Sequence, residues 1–301
     1  MINPAIVVIA YNRPDSLGRL LKSIGQANYE YETEQINLII SIDRADNFDD
    51  VSAVAETFAW GLGEKRIRTF EKRQGLKNHV LSCGDLTEEY GAVVVLEDDL
   101  VVSHDFYHYA KNALNFYEND TKVAGIALYS HGWNGYSSVA FSPVKNQYDN
   151  YYGQFSITWG QCWTRNQWKK FRRWQKEHDN KLPDENKCMP SGISNWGKQS
   201  WGKYFISYIV AEDLYYIVPY TARSTNFSEV GIHNSKSDNS HQVRLQIGCQ
   251  EGYKFACFDD AVKYDAFFER IFPERISICG CPSSDICVNL NGKKKWNFNK
   301  K

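Results

Sequence analysis

Three short, uninterrupted apolar runs set the fold class: Ala5 to Ala10 (AIVVIA), Asn37 to Ile42 (NLIISI) and Ala92 to Glu97 (AVVVLE). Runs this short and this rich in Val and Ile suit strands covered on both faces. A sheet with one wet face would alternate apolar and polar side chains instead. Between the first two runs, Leu17, Leu20, Leu21 and Ile24 recur at helical spacing, with Pro14 and Asp15 where a helix begins. After the third run, Phe106, Tyr109, Ala110, Ala113, Leu114 and Tyr117 share one helical face. Strand, helix and strand in alternation predict an α/β unit over residues 1–130, with a mostly parallel sheet and right-handed crossovers.

The second half changes character. Phe155 to Phe171 (FSITWGQCWTRNQWKKF) runs from a strand-like piece through an aromatic turn into a basic helix. Residues 181–195 hold two prolines and few apolar side chains, which predicts a loop. Residues 200–213 (SWGKYFISYIVAED) read as a helix, 214–220 (LYYIVPY) as a strand stopped by Pro219, and 259–272 (DDAVKYDAFFERIF) as a further helical patch. The end of the chain is rich in Cys, Asn and Lys, and no internal repeat is present.

Composition narrows the function classes. At 43% hydrophobic and 24% charged, the 301-residue chain is an ordinary globular one, not a disordered one. A net charge of −1 provides no basic field to recruit nucleic acid. The six-residue apolar run near the N-terminus is too short for a secretory or membrane-spanning segment, which predicts a cytoplasmic protein. Its eight cysteines are then expected as reduced thiols. Cys257, Cys279, Cys281 and Cys287 fit no zinc-site spacing. Aromatic residues make up 15% of the chain, and Trp133, Trp159, Trp163 and Trp201 are candidates either for stacking on sugar rings or for the core.

The acidic run Glu97-Asp98-Asp99 directly follows the third apolar stretch. Carboxylates at the end of an interior strand are costly to desolvate unless a positive partner meets them. Ligands of open α/β sheets bind beyond the carboxyl ends of the strands. Asp43 ends the second run, and Tyr11 and Asn12 follow the first, so three strand ends present polar groups to one crevice. Adjacent carboxylates there suit a hard divalent cation whose other positions are filled by phosphate oxygens and water. The plainer alternative is a solvated strand-to-helix corner in which one Asp caps the next helix.

The segments PAIVVIAYNRPDSLGRLLKSI, LIISID and VVVLEDDLVVSHDFYHYA resemble the nucleotide-binding half of inverting GT-A glycosyltransferases. The likeness is to the group of the animal N-acetylglucosaminyltransferase I, its bacterial relatives and the family 2-like enzymes. SNWGKQSWGKYF is similar to that group's Trp-rich acceptor loop, and ARSTNFSEVGIHNS to its closing segment, so the resemblance covers about residues 4 to 240. It implies a GT-A domain over 1–245, with a nucleotide-sugar half (1–130) and an acceptor half (131–245), followed by an extension over 246–301. It further implies that Asp43 accepts from the uracil N3–H and that Glu97 and Asp98 hold the ribose and sugar. Asp99 would ligate Mn²⁺ or Mg²⁺ on the diphosphate. Ala10, Tyr11 and Arg13 would contact the nucleotide with Arg73 nearby, and His233 would approach the diphosphate and metal.

One departure bears on catalysis. The group's general base is an Asp just after the second Trp of the Trp-rich loop, and here Trp201 is followed by Gly202 and Lys203. Glu212, Asp213 and Glu229 remain as candidates for the base. The resulting expectation is a metal-dependent, inverting transferase. It would move a sugar from a nucleotide-sugar, in the first instance a UDP-sugar, to a glycan or lipid-linked glycan of a bacterial surface. The lysines of the terminal NGKKKWNFNKK would give weak peripheral attraction to an anionic membrane face, or would simply be a solubilising tail. Two alternatives stay open. A silent nucleotide-sugar or glycan-binding module would explain the missing Asp, and a sugar-phosphate nucleotidyltransferase would share the scaffold. The latter needs a Gly-rich loop after the first strand, where this chain has AYNRPDS.

Overall fold

The computed structural model describes residues 1–155, 157–179, 189–190, 193, 196–197, 199–227 and 241–271. Its centre is a ten-stranded sheet. Strands β1 (Ala5–Ala10), β2 (Leu38–Ile42), β3 (Lys65–Thr69) and β4 (Ala92–Glu97) run parallel on one side. On the other side stand β6 (Val123–Ala127), β9 (Asn150–Gly153), β10 (Gln161–Thr164), β11 (Tyr215–Pro219), β13 (Lys263–Tyr264) and β14 (Arg270–Ile271). The order across the sheet is β14-β13-β9-β11-β6-β10-β4-β1-β2-β3. Strand β10 lies antiparallel to both β4 and β6, so β6 and its parallel neighbour β11 point the same way as β4. Two small ribbons complete the strands: β5 (Leu100–Val102) pairs with β12 (Ser224–Asn226), and β7 (Trp133–Asn134) with β8 (Val139–Ala140).

The apolar runs are continuous because the sheet is covered twice. In β1, Ile6, Val8 and Ala10 enter one core while Ala5, Val7 and Ile9 enter the other. In β4, Ala92, Val94 and Leu96 oppose Val93 and Val95 in the same way. Each fully buried Val or Ile contributes about 1.5–3 kcal/mol relative to exposure, so polar side chains on either face of these strands would be costly. The first core is closed by α1 (Pro14–Gly25), α2 (Phe48–Thr57) and α5 (Phe106–Phe116). The second lies under α3 (Leu76–Gly84), α6 (Arg165–His178) and α7 (Trp201–Ala211) and is far more aromatic. A single turn, α4 (Thr87–Tyr90), leads into β4.

The expected parallel α/β unit, its helices at 14–25 and 106–116, and the later strand at 215–219 are all present. Residues 259–272 differ: instead of a helix they form the β13–β14 hairpin, as far as the described residues run. The reason is local. The Asp265 carboxylate accepts from the backbone N–H of Phe267 (2.8 Å) and Glu269 (3.0 Å), which holds a turn in place of a helical ladder. Most of 181–195 lies outside the described residues. No helix among the described residues is long and apolar enough to cross a membrane.

Candidate active site

The carboxyl ends of β1, β2 and β4 lie side by side, in register Ile9 with Ser41 and Ile9 with Glu97. The chain therefore emerges at Tyr11, Asp43 and Asp98 on one edge of the sheet. The acidic run does meet a positive partner there, and it comes from the same edge. Arg13, at the start of α1, ion-pairs with Asp98 Oδ1 and stands 3.2 Å from Asp99 Oδ2. One guanidinium faces three carboxylates, and it does not neutralise them. Burial pushes the Asp98 carboxyl up to about 6 although Arg13 pulls it down. Burial, then the nearby charges of Asp99 and Asp98, drive Glu97 well above the usual carboxylate range. Asp99 Oδ1 is buried and has no hydrogen-bond partner among the described residues.

Asp43 is 3% exposed and held by backbone amides. Its Oδ1 accepts from Arg44 N (2.8 Å) and Gln74 N (2.7 Å), and its Oδ2 from Gly75 N (2.9 Å). Gly75 lies at φ +73, a left-handed conformation that glycine adopts without strain. Oδ2 keeps lone-pair capacity for one more donor at the crevice. The same loop brings Arg73 over the Tyr11 ring, 4.8 Å from its centroid. Ala10, Tyr11, Arg13, Asp43, Arg73 and Glu97 to Asp99 are thus assembled along one edge.

The candidates for a base fare differently. Glu212 and Asp213 immediately precede β11, which runs in the direction of β4. They therefore stand at the edge where β4 begins, roughly a strand length (17–20 Å) from Glu97. Asp213 is spoken for by Lys122, 2.5 Å away. Glu229 and His233 lie outside the described residues. Gly202 and Lys203 open α7, and Lys203 donates to the Trp196 carbonyl at 3.1 Å. Of the tryptophans, Trp163 and Trp201 are core residues, 0% and 3% exposed, whereas Trp133 is 41% exposed. Trp159 lies two residues before Gln161, the partner of Val95, just as Glu97 lies two beyond Val95.

Sequence reasoning missed the support behind the acidic run. Arg223 Nε faces Asp105 Oδ2 at 3.4 Å in a fully buried pair. The guanidinium covers the Tyr109 ring at 4.7 Å, and Tyr253 donates to Asp105 at 3.2 Å. The Arg223 carbonyl accepts from Ser103 N, and the Asp99 carbonyl from Phe227 N. The β5–β12 ribbon is thereby clamped against the carboxylates. The available signal was slight: a lone Arg in ARSTNF and an Asp in SHDFY, each among polar neighbours that do not mark it for burial.

A divalent cation fits this donor set. A buried carboxylate oxygen without a partner, beside two further carboxylates and a single guanidinium, is short of positive charge. Among the described residues no three His, Cys, Asp or Glu side chains are grouped as a metal cage. The fitting mode is therefore one or two carboxylates with the remaining positions left to a ligand's oxygens.

No protein-family model matches the chain, and no curated protein does. Several solved structures resemble it distantly. The mannosyltransferase PcManGT from Pyrobaculum calidifontis, in complex with GDP-Man and Mn²⁺, is 12% identical at TM-score 0.44, over 77% of this chain and 60% of that one. S. aureus TarS 1–349 in complex with UDP-GlcNAc is 11% identical at TM-score 0.42, over 73% and 57%. GalNAc-T7 with UDP, GalNAc and Mn²⁺ is 12% identical at TM-score 0.45, over 75% and 44%. The match takes in 60% of PcManGT's length and less of the other two.

Proposed function

We propose that the chain is a metal-dependent glycosyltransferase of GT-A type. It would transfer a sugar with inversion from a nucleotide-sugar, first of all a UDP-sugar, to a hydroxyl of a glycan or lipid-linked glycan. The observation that carries this reading is the buried, unpartnered Asp99 Oδ1 within a carboxylate cluster at the ends of β1, β2 and β4. Residues 1–130 would form the donor half and 131–245 the acceptor half, with 246 onward as an extension whose described part joins the sheet as β13 and β14. Action on a bacterial surface glycan at the cytoplasmic membrane face belongs to the same reading.

In this reading Asp43, fixed by three amides, accepts a hydrogen bond from the base of the nucleotide. A carboxylate already held by backbone amides loses little side-chain entropy on binding. Tyr11 offers its ring and Arg73 a cation beside it, suited to a base and a phosphate respectively. Glu97 and Asp98 face the ribose and sugar hydroxyls, and Arg13 leaves the carboxylates for the diphosphate. Asp99, with His233, would hold Mn²⁺ or Mg²⁺, which when bound neutralises charge developing on the leaving diphosphate. The acceptor hydroxyl attacks the anomeric carbon opposite the departing diphosphate and gives its proton to a base. Glu212 and Asp213 stand at the wrong edge for that role, which leaves Glu229 among the original candidates.

The test is calorimetric titration of UDP into the protein with Mn²⁺ and then with EDTA, in the wild type and in Asp99→Ala. Binding is expected only with metal, and is expected to weaken about 100-fold or more in the variant, since even indirect supports of a metal site are each worth 10–100-fold. UDP, GDP and CMP all failing to bind to folded protein would remove the reading. A second reading, a binding module without turnover, is favoured by Gly202-Lys203 standing where a carboxylate is needed. It predicts the same titration but no sugar transfer to any acceptor.

A further inference from the structure

Beyond the carboxyl ends of β6 and β11 the structure holds a cleft of about 620 Å³. Its walls come from the segment after β6, the segment after β11, and residues 141–145 and 242–247. Strands β6 and β11 run in the direction of β4, so this cleft opens on the same sheet edge as Glu97, Asp98 and Asp99. Trp159 stands between the two. Its ring is 6.0 Å from that of His131, a residue of the cleft wall, and its backbone leads directly into β10 beside the end of β4.

The chemistry of this cleft is the reverse of the neighbouring site. Among the described residues, Lys145 and Arg244 line it and no Asp or Glu does. Both cations are exposed, and neither takes part in an ion pair among the described residues. Polar groups that suit hydroxyls, Tyr220, Thr221 and Gln246, sit on the same walls. At the mouth, Gly132 and Phe141 close the base of the β7–β8 hairpin through a 3.0 Å backbone bond. That hairpin carries Trp133, 41% exposed, whose ring meets no other aromatic ring among the described residues. An exposed indole adjoining the lining residue Gly132 is a stacking surface for a sugar ring, and two cations without an ion pair among the described residues select an anion.

We infer that this cleft binds the acceptor, and that the acceptor is a saccharide bearing an anionic group, phosphate or carboxylate, held by Lys145 and Arg244 with a ring on Trp133. The inference rests on the glycosyltransferase reading for the word acceptor; binding of the acidic saccharide itself does not depend on it. The cationic cleft can hold an anion without metal, whereas the carboxylate-rich donor site needs a cation before it can hold a diphosphate.

Binding to immobilised saccharides tests this on the full chain, with two matched pairs: lactose against 3′-sialyllactose, and mannobiose against mannobiose 6′-phosphate. At least one acidic member is expected to bind at least tenfold more tightly than its neutral partner, and the pair that shows this separates a carboxylate from a phosphate. Lys145→Gln and Arg244→Gln are each expected to reduce that preference by about tenfold, as the loss of one charge-assisted bond does. Trp133→Ala is expected to weaken acidic and neutral members alike. All three side chains are solvent-facing, so the variants are expected to melt as the wild type does. Equal binding of acidic and neutral members, or a preference untouched by both glutamine variants, would overturn the inference. So would no saccharide binding by protein that binds UDP with Mn²⁺, in which case the donor reading stands. Acidic saccharide binding without any nucleotide binding would leave the cleft and remove the transferase.

Discussion

The two faces of the sheet solve different problems. The α1–α2–α5 face is mostly aliphatic, and β1, β2 and β4, which both faces share, end in carboxylates that are left short of positive charge. The α3–α6–α7 face is packed by rings: Trp163 lies 4.5 Å from Trp168 and 5.7 Å from Phe205, and Phe205 stacks on Tyr216 at 5.0 Å. Aliphatic strands of regular register can place several chain ends within one crevice, because each end is fixed by a ladder on both sides. Large rings instead fill the irregular volume left where β10 and β9 reverse direction within the sheet. Charge shortage thus belongs to one region and packing to the other, and substitutions should separate the two.

The largest effect is expected from Trp163→Ala. The ring is fully buried, and a Cβ at Gly125 would lie only 2.6 Å from it, so the neighbouring strand has given up its side chain to seat the indole. Loss of about 3–5 kcal/mol in urea unfolding is expected, the range for removing a buried large aromatic. The fraction that stays folded is expected to bind UDP and Mn²⁺ as the wild type does. A stability loss below about 1 kcal/mol would break the contrast, because the rings would then not be what holds this face.

Next comes a buried histidine between the two regions. His79 on α3 bonds to Ser41 Oγ at 2.8 Å, just before Asp43. Burial lowers its pKa from 6.5 to about 4. The folded state therefore resists a proton that the unfolded chain accepts. The stability this contributes is fully present above pH 6.5 and is lost as pH falls through about 4. Between pH 7 and pH 5 the loss should be about 2 kcal/mol, from the usual 1.36 kcal/mol per pKa unit. Asp98 acts in the opposite sense: its raised pKa of about 6 lets the fold take up a proton first and regain stability as pH falls. The wild-type profile alone mixes the two. The check is the difference in unfolding free energy between wild type and His79→Asn, from which Asp98 cancels. That difference should move about 2 kcal/mol in the variant's favour between pH 7 and pH 5; a constant difference would mean that His79 is not held neutral.

What the sequence disclosed follows the same divide. The strands 5–10, 38–42 and 92–97 and the convergence of Tyr11, Asp43 and the acidic run could be read directly, because continuous Val and Ile runs leave one arrangement of covered strands. The partner of the carboxylates could not. Arg13 is one charge in a polar turn, and only the register of β1 beside β4 shows that it faces Asp98. The edge strand β3, KRIRT, sets a lone Ile among charges and shows no apolar run, so its sequence does not mark it as a strand. The 259–272 segment misled because Ala261, Tyr264, Phe268 and Ile271 recur at helical spacing. A single carboxylate turn at Asp265 decides otherwise. The direction of β11, on which the fate of Glu212 and Asp213 depends, is set by a reversal at β10 that no local pattern records.

That direction is tested by the smallest expected effect. Asp213 and Lys122 form a 2.5 Å ion pair with side chains 63% and 37% exposed, so solvent screens most of its energy. Asp213→Asn should cost no more than about 1 kcal/mol in stability, and Glu212→Gln less, since exposed carboxylates without a buried partner contribute within about 0.5 kcal/mol. Neither should alter sugar transfer once a donor and acceptor are found, because both residues precede β11 and so stand a strand length from Glu97. A general base that is removed costs about 10²–10⁴ in rate. A loss of that size in either variant, with stability and UDP binding retained, would put a catalytic carboxylate at the start of β11. The crevice could then no longer be confined to the carboxyl ends of the strands, and the division between a charge-short edge and a packed aromatic face would have to be redrawn around the opposite edge.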